Sequence, residues 1–236
     1  LERFPQKEGI VVTTKSDFSA NFGFGSSSAV TVAFAKALTT LYQVELTDKE
    51  LFNLCYESVI EVQGVGSGFD LAAALWGETL LYVTPAKVVE KVKIDTLSLV
   101  VGYTGMKADT PTLIRMVDGK LADNRASVEN IFNQVGKITE SLKTALENDN
   151  HSLAGDLLNQ HQESMRELGV SSIELENLIT ASLEGGAYGA TLSGAGGGDC
   201  MVALVNENTR EVVENKIIQA GGEVIKISCN AQGVTL

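Results

Sequence analysis

Four of the five residues from Gly194 to Gly198 are glycine, with Ala195 the exception. A plain β-hairpin needs one or two glycines at its turn. The density leaves two readings: a flexible hairpin, or backbone that passes close to something bulky, such as a substrate phosphate or another loop. Two earlier runs share the pattern. Gly23-Phe24-Gly25-Ser26-Ser27-Ser28 stands directly before an apolar helical stretch, and Gly64-Val65-Gly66-Ser67-Gly68 leads into Phe69-Asp70-Leu71 and a run of alanines. The fold has to accommodate three side-chain-poor bends, each set against a helix or strand.

Between the bends the periodicity predicts ordinary elements. Ile10 to Thr14 is entirely β-branched and predicts a strand. An apolar helix is expected from about Ser27 to Tyr42. Thr47 and Glu50 form a capping box that opens a second helix ending near Val62, and a small-residue helix covers Ala72 to Leu75. Strands are expected at Thr79–Val83, Leu97–Tyr103, Gly189–Ser193, Met201–Val205 and Glu223–Ser228. Helical patterns fill Asp109 to Leu183, with a second capping box at Ser171 and Glu174, and return from about Glu207 to Ala220. This order predicts an α+β sandwich in two domains, 1–90 and 91–236, with a soft boundary near residue 90.

The formal net charge is −12, from 18 Lys and Arg against 30 Asp and Glu, with no basic run. Binding along a nucleic-acid backbone needs clustered cations, so nucleic acid is not an expected partner. Three cysteines, Cys55, Cys200 and Cys229, are too few and too far apart for a disulfide framework or a zinc site, and they suit a reducing cytoplasm. No apolar run reaches the about 18 residues that would span a bilayer. The start, Leu1-Glu2-Arg3-Phe4-Pro5, lacks the apolar segment of a signal peptide.

The bends carry the candidate chemistry. Gly23, Gly25, Ser26, Ser27 and Ser28 precede a helix whose first amides are unpaired donors at the positive end of the dipole, so this run can cradle a phosphate; equally, it can be a serine-capped turn. Asp70 follows Gly66, Ser67 and Gly68 on a tight turn. It can accept the proton of an attacking hydroxyl, or simply cap the helix that follows. His151 and His161 read as surface or packing residues, and Trp76 as core.

Taken together, and in this order, the three bends resemble the GHMP kinase superfamily. Gly23 to Ala29 is similar to its Gly-Leu-Gly-Ser-Ser-Ala motif, with Phe24 in place of Leu and an added serine, and Gly194 to Gly198 is similar to its Gly-Ala-Gly-Gly-Gly loop. Val100–Gly105, Leu168–Ser171 and Gly186–Ser193 look like mevalonate kinases, whereas Gln63–Asp70 and Gly198–Cys200 look like phosphomevalonate kinases. The family's Pro-Gly-rich first motif and its early lysine have no counterpart, which leads us to expect a fragment or a replaced first segment.

The resemblance implies a ribosomal-protein-like N-terminal domain, incomplete here, and a ferredoxin-like C-terminal domain. It implies transfer of the ATP γ-phosphoryl group to mevalonate, or alternatively to phosphomevalonate, with Mg²⁺ as cofactor and no membrane or nucleic-acid partner. A homodimer is a further expectation. Asp70 would be catalytic. Gly23, Gly25, Ser26, Ser27 and Ser28 would hold ATP, with Ser27 on the metal. Gly66, Ser67, Gly68, Gly194, Ala195, Gly196 and Gly197 would form the substrate loops. The family's metal-binding Glu falls on Val59, with Glu57 and Glu61 out of register. A catalytically inactive binding protein of the same fold, or a sugar or amino-acid kinase of the superfamily, are the other readings.

Overall fold

Small and apolar residues without proline carry the chain from the first bend straight into α1 (Ser26–Leu41), which buries Val32, Ala35 and Leu38 at helical spacing. The structure, a computed structural model, describes residues 9–16, 23 and 25–235. The chain divides into two compact units: the chain through Lys91 together with Asn230–Leu236, and Val92–Cys229.

In the first unit, α2 (Asp48–Gln63) opens at the expected capping box. Thr47 accepts from the Glu50 amide, and the Glu50 side chain accepts from the Thr47 amide at 2.8 Å. Next comes α3 (Phe69–Trp76), which begins three residues before the expected helix, and then β1 (Leu80–Val83). The latter pairs antiparallel with β2 (Val88–Lys91), joining Leu80 to Lys91 and Val83 to Val88. The connecting turn contains a cis Thr84–Pro85 peptide. The core gathers around Phe52, which is fully buried, with the rings of Tyr56, Trp76 and Tyr82 at centroid distances of 5.7, 5.4 and 6.3 Å. Trp76 packs against this core, as expected.

Residues 10–14 form no strand. A β-branched run becomes a strand only when a neighbour completes its ladder, and no described strand pairs with these residues; Val11 is left 94% exposed.

The second unit holds β3 (Leu99–Tyr103), α4 (Thr110–Asp123), α5 (Arg125–Glu147), α6 (His151–Leu168), α7 (Ile173–Glu184), β4 (Gly189–Ser193), β5 (Cys200–Leu204), α8 (Glu207–Gln219) and β6 (Glu223–Ile225). Its sheet runs β4-β5-β3-β6, every pair antiparallel. That spatial order, with helices between β3 and β4 and between β5 and β6, is the expected ferredoxin-like arrangement. Val100, Ala190, Leu192, Met201 and Ala203 from the strands meet Leu175, Leu178, Ile179, Val213 and Ile217 from the helices in one core. The capping box placed at Ser171 shifts by one residue: Ser172 is the N-cap of α7 and accepts from the Leu175 amide. Ser171 is drawn instead to the Glu176 carboxylate.

The last residues return to the first unit rather than staying with the half they follow. The Glu78 amide donates to the Ala231 carbonyl at 2.7 Å, and the Val234 amide to the Ala74 carbonyl at 2.9 Å. Val234 packs against the first core. Among the described residues, no helix is long and apolar enough to cross a membrane.

Candidate active site

Two of the three bends meet within the first unit. Gly25 is the N-cap of α1, held at φ 64°, and no side chain caps the helix. The serine-capped reading of this bend is therefore replaced by a glycine start, with Ser26, Ser27 and Ser28 in the first turn. Ser27 is exposed, Ser26 is half-buried and Ser28 is buried. Asp70 lies against Gly25 from the other side: a Cβ at Gly25 would come within 2.8 Å of the Asp70 Cγ and 3.0 Å of its Oδ1. Glycine is required here both by the positive φ and by the carboxylate beside it.

Asp70 does not cap its helix. The N-cap of α3 is Gly68, without a side-chain cap, and Asp70 sits inside the first turn. Burial raises its carboxyl above the ordinary carboxylate range. The bend before it is tied down by hydroxyls. Tyr56 Oη donates to the Gly66 carbonyl at 2.9 Å, while Tyr82 Oη and Thr84 Oγ1 donate to the Ser67 carbonyl at 2.7 and 2.6 Å. The sequence reading missed these three residues, because a hydroxyl aimed at a distant backbone carbonyl leaves no local pattern. Beside α1 lies a cavity of about 470 Å³, lined by Ser26, Ala29, Val30, Ala33 and Phe34 and by residues 12–16.

The third bend joins β4 to β5 in the second unit, and its glycines answer to their own chain. A Cβ at Gly196 would run into the Val170 carbonyl, one at Gly197 would reach Leu113 Cδ1 at 2.8 Å, and one at Gly198 the Met106 carbonyl at 2.8 Å. The Gly197 amide donates to the Val170 carbonyl at 2.7 Å and the Asp199 amide to the Met106 carbonyl at 2.7 Å. For Gly196 and Gly198 the bulky neighbour is backbone from two other loops, and for Gly197 it is the Leu113 side chain of α4. The tip differs: Gly194 and Ala195 are exposed, and Gly194 meets nothing within 4 Å.

Beneath this bend lies a polar hub that the sequence did not reveal. Gln162, 1% exposed, donates through Nε2 to Ser171 Oγ and to Glu176 Oε1, both at 2.8 Å. Its Oε1 accepts from the Leu192 amide at 3.0 Å and from Thr191 Oγ1 at 3.2 Å. Burial works to raise the Glu176 carboxyl, but bonds from Arg166, Ser171 and Gln162 outweigh it and hold it below the ordinary range. His161, read as surface or packing, is half-buried with Nδ1 2.7 Å from Thr191 Oγ1, and burial lowers its pKa. Cys200 is buried, and that burial pushes its thiol up to about 12, so it is no nucleophile.

Among the described residues no three His, Cys, Asp or Glu side chains converge as a metal cage. Mg²⁺ does not require one: it keeps several waters and commonly takes one or two protein oxygens together with substrate phosphates. The exposed Ser27 hydroxyl, on the same bend that Asp70 abuts, fits that mode. Val59 packs into the first core, and Glu57 and Glu61 lie exposed on α2.

Comparison with known proteins agrees with this placement of elements. The GHMP kinases N terminal domain matches residues 1–78, and the GHMP kinases C terminal domain matches residues 142–223. The mevalonate kinase of Thermococcus sibiricus is 33% identical over an alignment of 241 positions, covering 100% of this chain and 72% of that protein. The phosphomevalonate kinase of a Streptomyces species is 33% identical over 223 residues, covering 81% of this chain and 59% of that protein. Among solved structures, L. major mevalonate kinase in complex with R-mevalonate has a TM-score of 0.74 at 29% identity, covering 83% of this chain and 61% of that one. With both domain models matched and a relative above 30% identity that aligns with all of this chain and 72% of its own length, this chain belongs to the GHMP kinase family.

Proposed function

We propose that this protein transfers the γ-phosphoryl group of ATP to the alcohol oxygen of mevalonate, giving phosphomevalonate and ADP in isoprenoid precursor synthesis in the cytoplasm. The observation that carries the reading is the contact between Gly25 and Asp70: a helix start suited to phosphate lies directly against a half-buried carboxylate. In phosphoryl transfer the protein contributes mainly position and charge, and both are available in this corner.

The amides of Ser26, Ser27 and Ser28 at the start of α1 hold the phosphates of ATP, and the glycines before them let the phosphates come close. Ser28 is buried, so its part is through the amide. Ser27 Oγ is the protein's ligand for Mg²⁺, which supplies positive charge against the developing charge on the phosphates. Asp70 accepts the alcohol proton as the oxygen forms its bond to phosphorus and the bond to the ADP oxygen breaks. Its burial suits this, since a carboxylate screened from water is a stronger base. Gly194, Ala195, Gly196 and Gly197 are assigned to the substrate on the resemblance of their bend to the family's loop alone. Gly66, Ser67 and Gly68 border the acceptor beside Asp70.

Phosphomevalonate is the alternative acceptor, favoured by two segments, Gln63–Asp70 and Gly198–Cys200, that look like phosphomevalonate kinases. The test is ADP release from Mg-ATP with each acceptor in turn, on the wild type and Asp70→Asn. Turnover with mevalonate, reduced by about a thousandfold or more in Asp70→Asn with the KM for ATP kept, is the expected result. Turnover with phosphomevalonate alone moves the assignment to that acceptor. ATP binding without ADP release from either would make the chain a binding protein.

A further inference from the structure

Two hydroxyl groups of the β1–β2 hairpin converge on one atom of the candidate site. Tyr82 Oη and Thr84 Oγ1 donate to the same Ser67 carbonyl oxygen, at 2.7 and 2.6 Å. Tyr82 Oη itself accepts from the Ala86 amide at 3.2 Å, which directs its own proton toward Ser67. A carbonyl has two lone pairs, so this one is fully engaged. The next residue, Gly68, is the N-cap of α3, and its carbonyl accepts the first helical bond from the Ala72 amide at 3.0 Å. Gly68 also lies under the rings: a Cβ there would meet Tyr82 Oη and Tyr56 Cδ2 at 2.9 Å. The start of α3 is thus pinned from the hairpin one residue upstream of its cap, and Asp70 is the second residue of that helix.

We propose that Tyr82 and Thr84 are positioning residues for the reaction: by fixing the Ser67 carbonyl they set where α3 begins, and so hold the Asp70 carboxylate against the Gly25 bend. This rests on the reading of Asp70 as the base. Neither hydroxyl touches a reacting atom in this arrangement. Both act through the turn, and the small clearance between Gly25 and Asp70 makes the site sensitive to it. A displacement on the order of 1 Å at the start of α3 is enough to cost about a hundredfold in rate.

The experiment uses Tyr82→Phe, Thr84→Val and their combination, each in wild-type and Asp70→Asn backgrounds, with kcat and the KM for Mg-ATP read by ADP release. Each substitution removes one hydroxyl and keeps the shape of the side chain. The expected result is a fall in kcat of about tenfold for Thr84→Val and about a hundredfold for the pair, with KM changed by less than about threefold. Thr84→Ser, which keeps the hydroxyl, is expected to retain near-wild-type kcat. In the Asp70→Asn background the same substitutions are expected to change the residual rate by less than about twofold, because the group they position is gone. The proposal is overturned if the pair leaves kcat within about twofold of wild type, or if Thr84→Ser falls as far as Thr84→Val. A loss of equal size in both backgrounds overturns it too, since the hydroxyls would then act without Asp70. The base reading fails on a separate result, near-normal turnover of Asp70→Asn itself.

Discussion

Asp70 combines two demands that conflict. A base screened from water is stronger, yet an ionised carboxylate in a partly buried place weakens the fold that holds it. Burial raises its pKa above that of the unfolded chain. Between those two values the native state binds more protons than the unfolded one, so this group's contribution to stability declines as pH rises through the window. Asp70→Asn carries no charge to desolvate. Its stability advantage over wild type is therefore expected to be smallest below the ordinary carboxylate pKa, to grow as pH rises through the native value, and then to level off. Urea unfolding of both proteins across that range measures it, and an advantage that shrinks with rising pH would contradict the burial of the charge. At this scale the sequence was informative about residue type and silent about partners. Asp70 beside glycines was readable as a base or a cap, and only the position of Gly68 as N-cap removed the cap.

At the scale of elements, what was readable was what is local. The Thr47 and Glu50 capping box lies within four residues, and the structure reproduces it. The expected strand at residues 10–14 does not form, because strand character belongs to a pair and no periodicity names the second member. The glycine density at Gly194–Gly198 did announce a close approach, but the partners, the carbonyls of Val170 and Met106, lie far off in sequence. Gln162 shows the same limit. Its partners at Ser171, Glu176, Thr191 and Leu192 join α6, the start of α7 and β4, the strand that leads into the third bend. Gln162→Leu keeps the volume and leaves the Leu192 amide and the Glu176 carboxylate short of a partner. Buried groups so stranded cost about 1–3 kcal/mol each, so the substitution is expected to lower stability by roughly 2–5 kcal/mol. Chemical denaturation reads this directly. A loss below about 1 kcal/mol would show that the hub holds little of the unit together.

For the whole molecule, the element order supplied the α+β plan, and the family resemblance implied the ferredoxin-like form that the second unit's sheet adopts. The sequence offered no hint that residues from Asn230 onward rejoin the first unit, because the tail bonds mostly through backbone: Ala231 to Glu78, Val234 to Ala74, and Gly77 to Gln232 as a lone bridge. Deletion of Asn230–Leu236 is expected to loosen the first unit selectively. Hydrogen exchange should quicken in α3 and β1 while α5, α6 and β5 keep their protection. Uniform quickening of both units would mean that the tail supports something other than the first core.

The returning tail also sets an order of events during synthesis. Everything from Val92 to Cys229 is made between the body of the first unit and the piece that closes it. At about 5–20 residues per second, Leu75, Trp76 and the edge beside Gly77 wait on the order of ten seconds for their covering segment. The second unit is contiguous and can finish first. Of the two units, the one that emerges first is thus the last to close, and the interval before closure is when its apolar surface is open to chaperones.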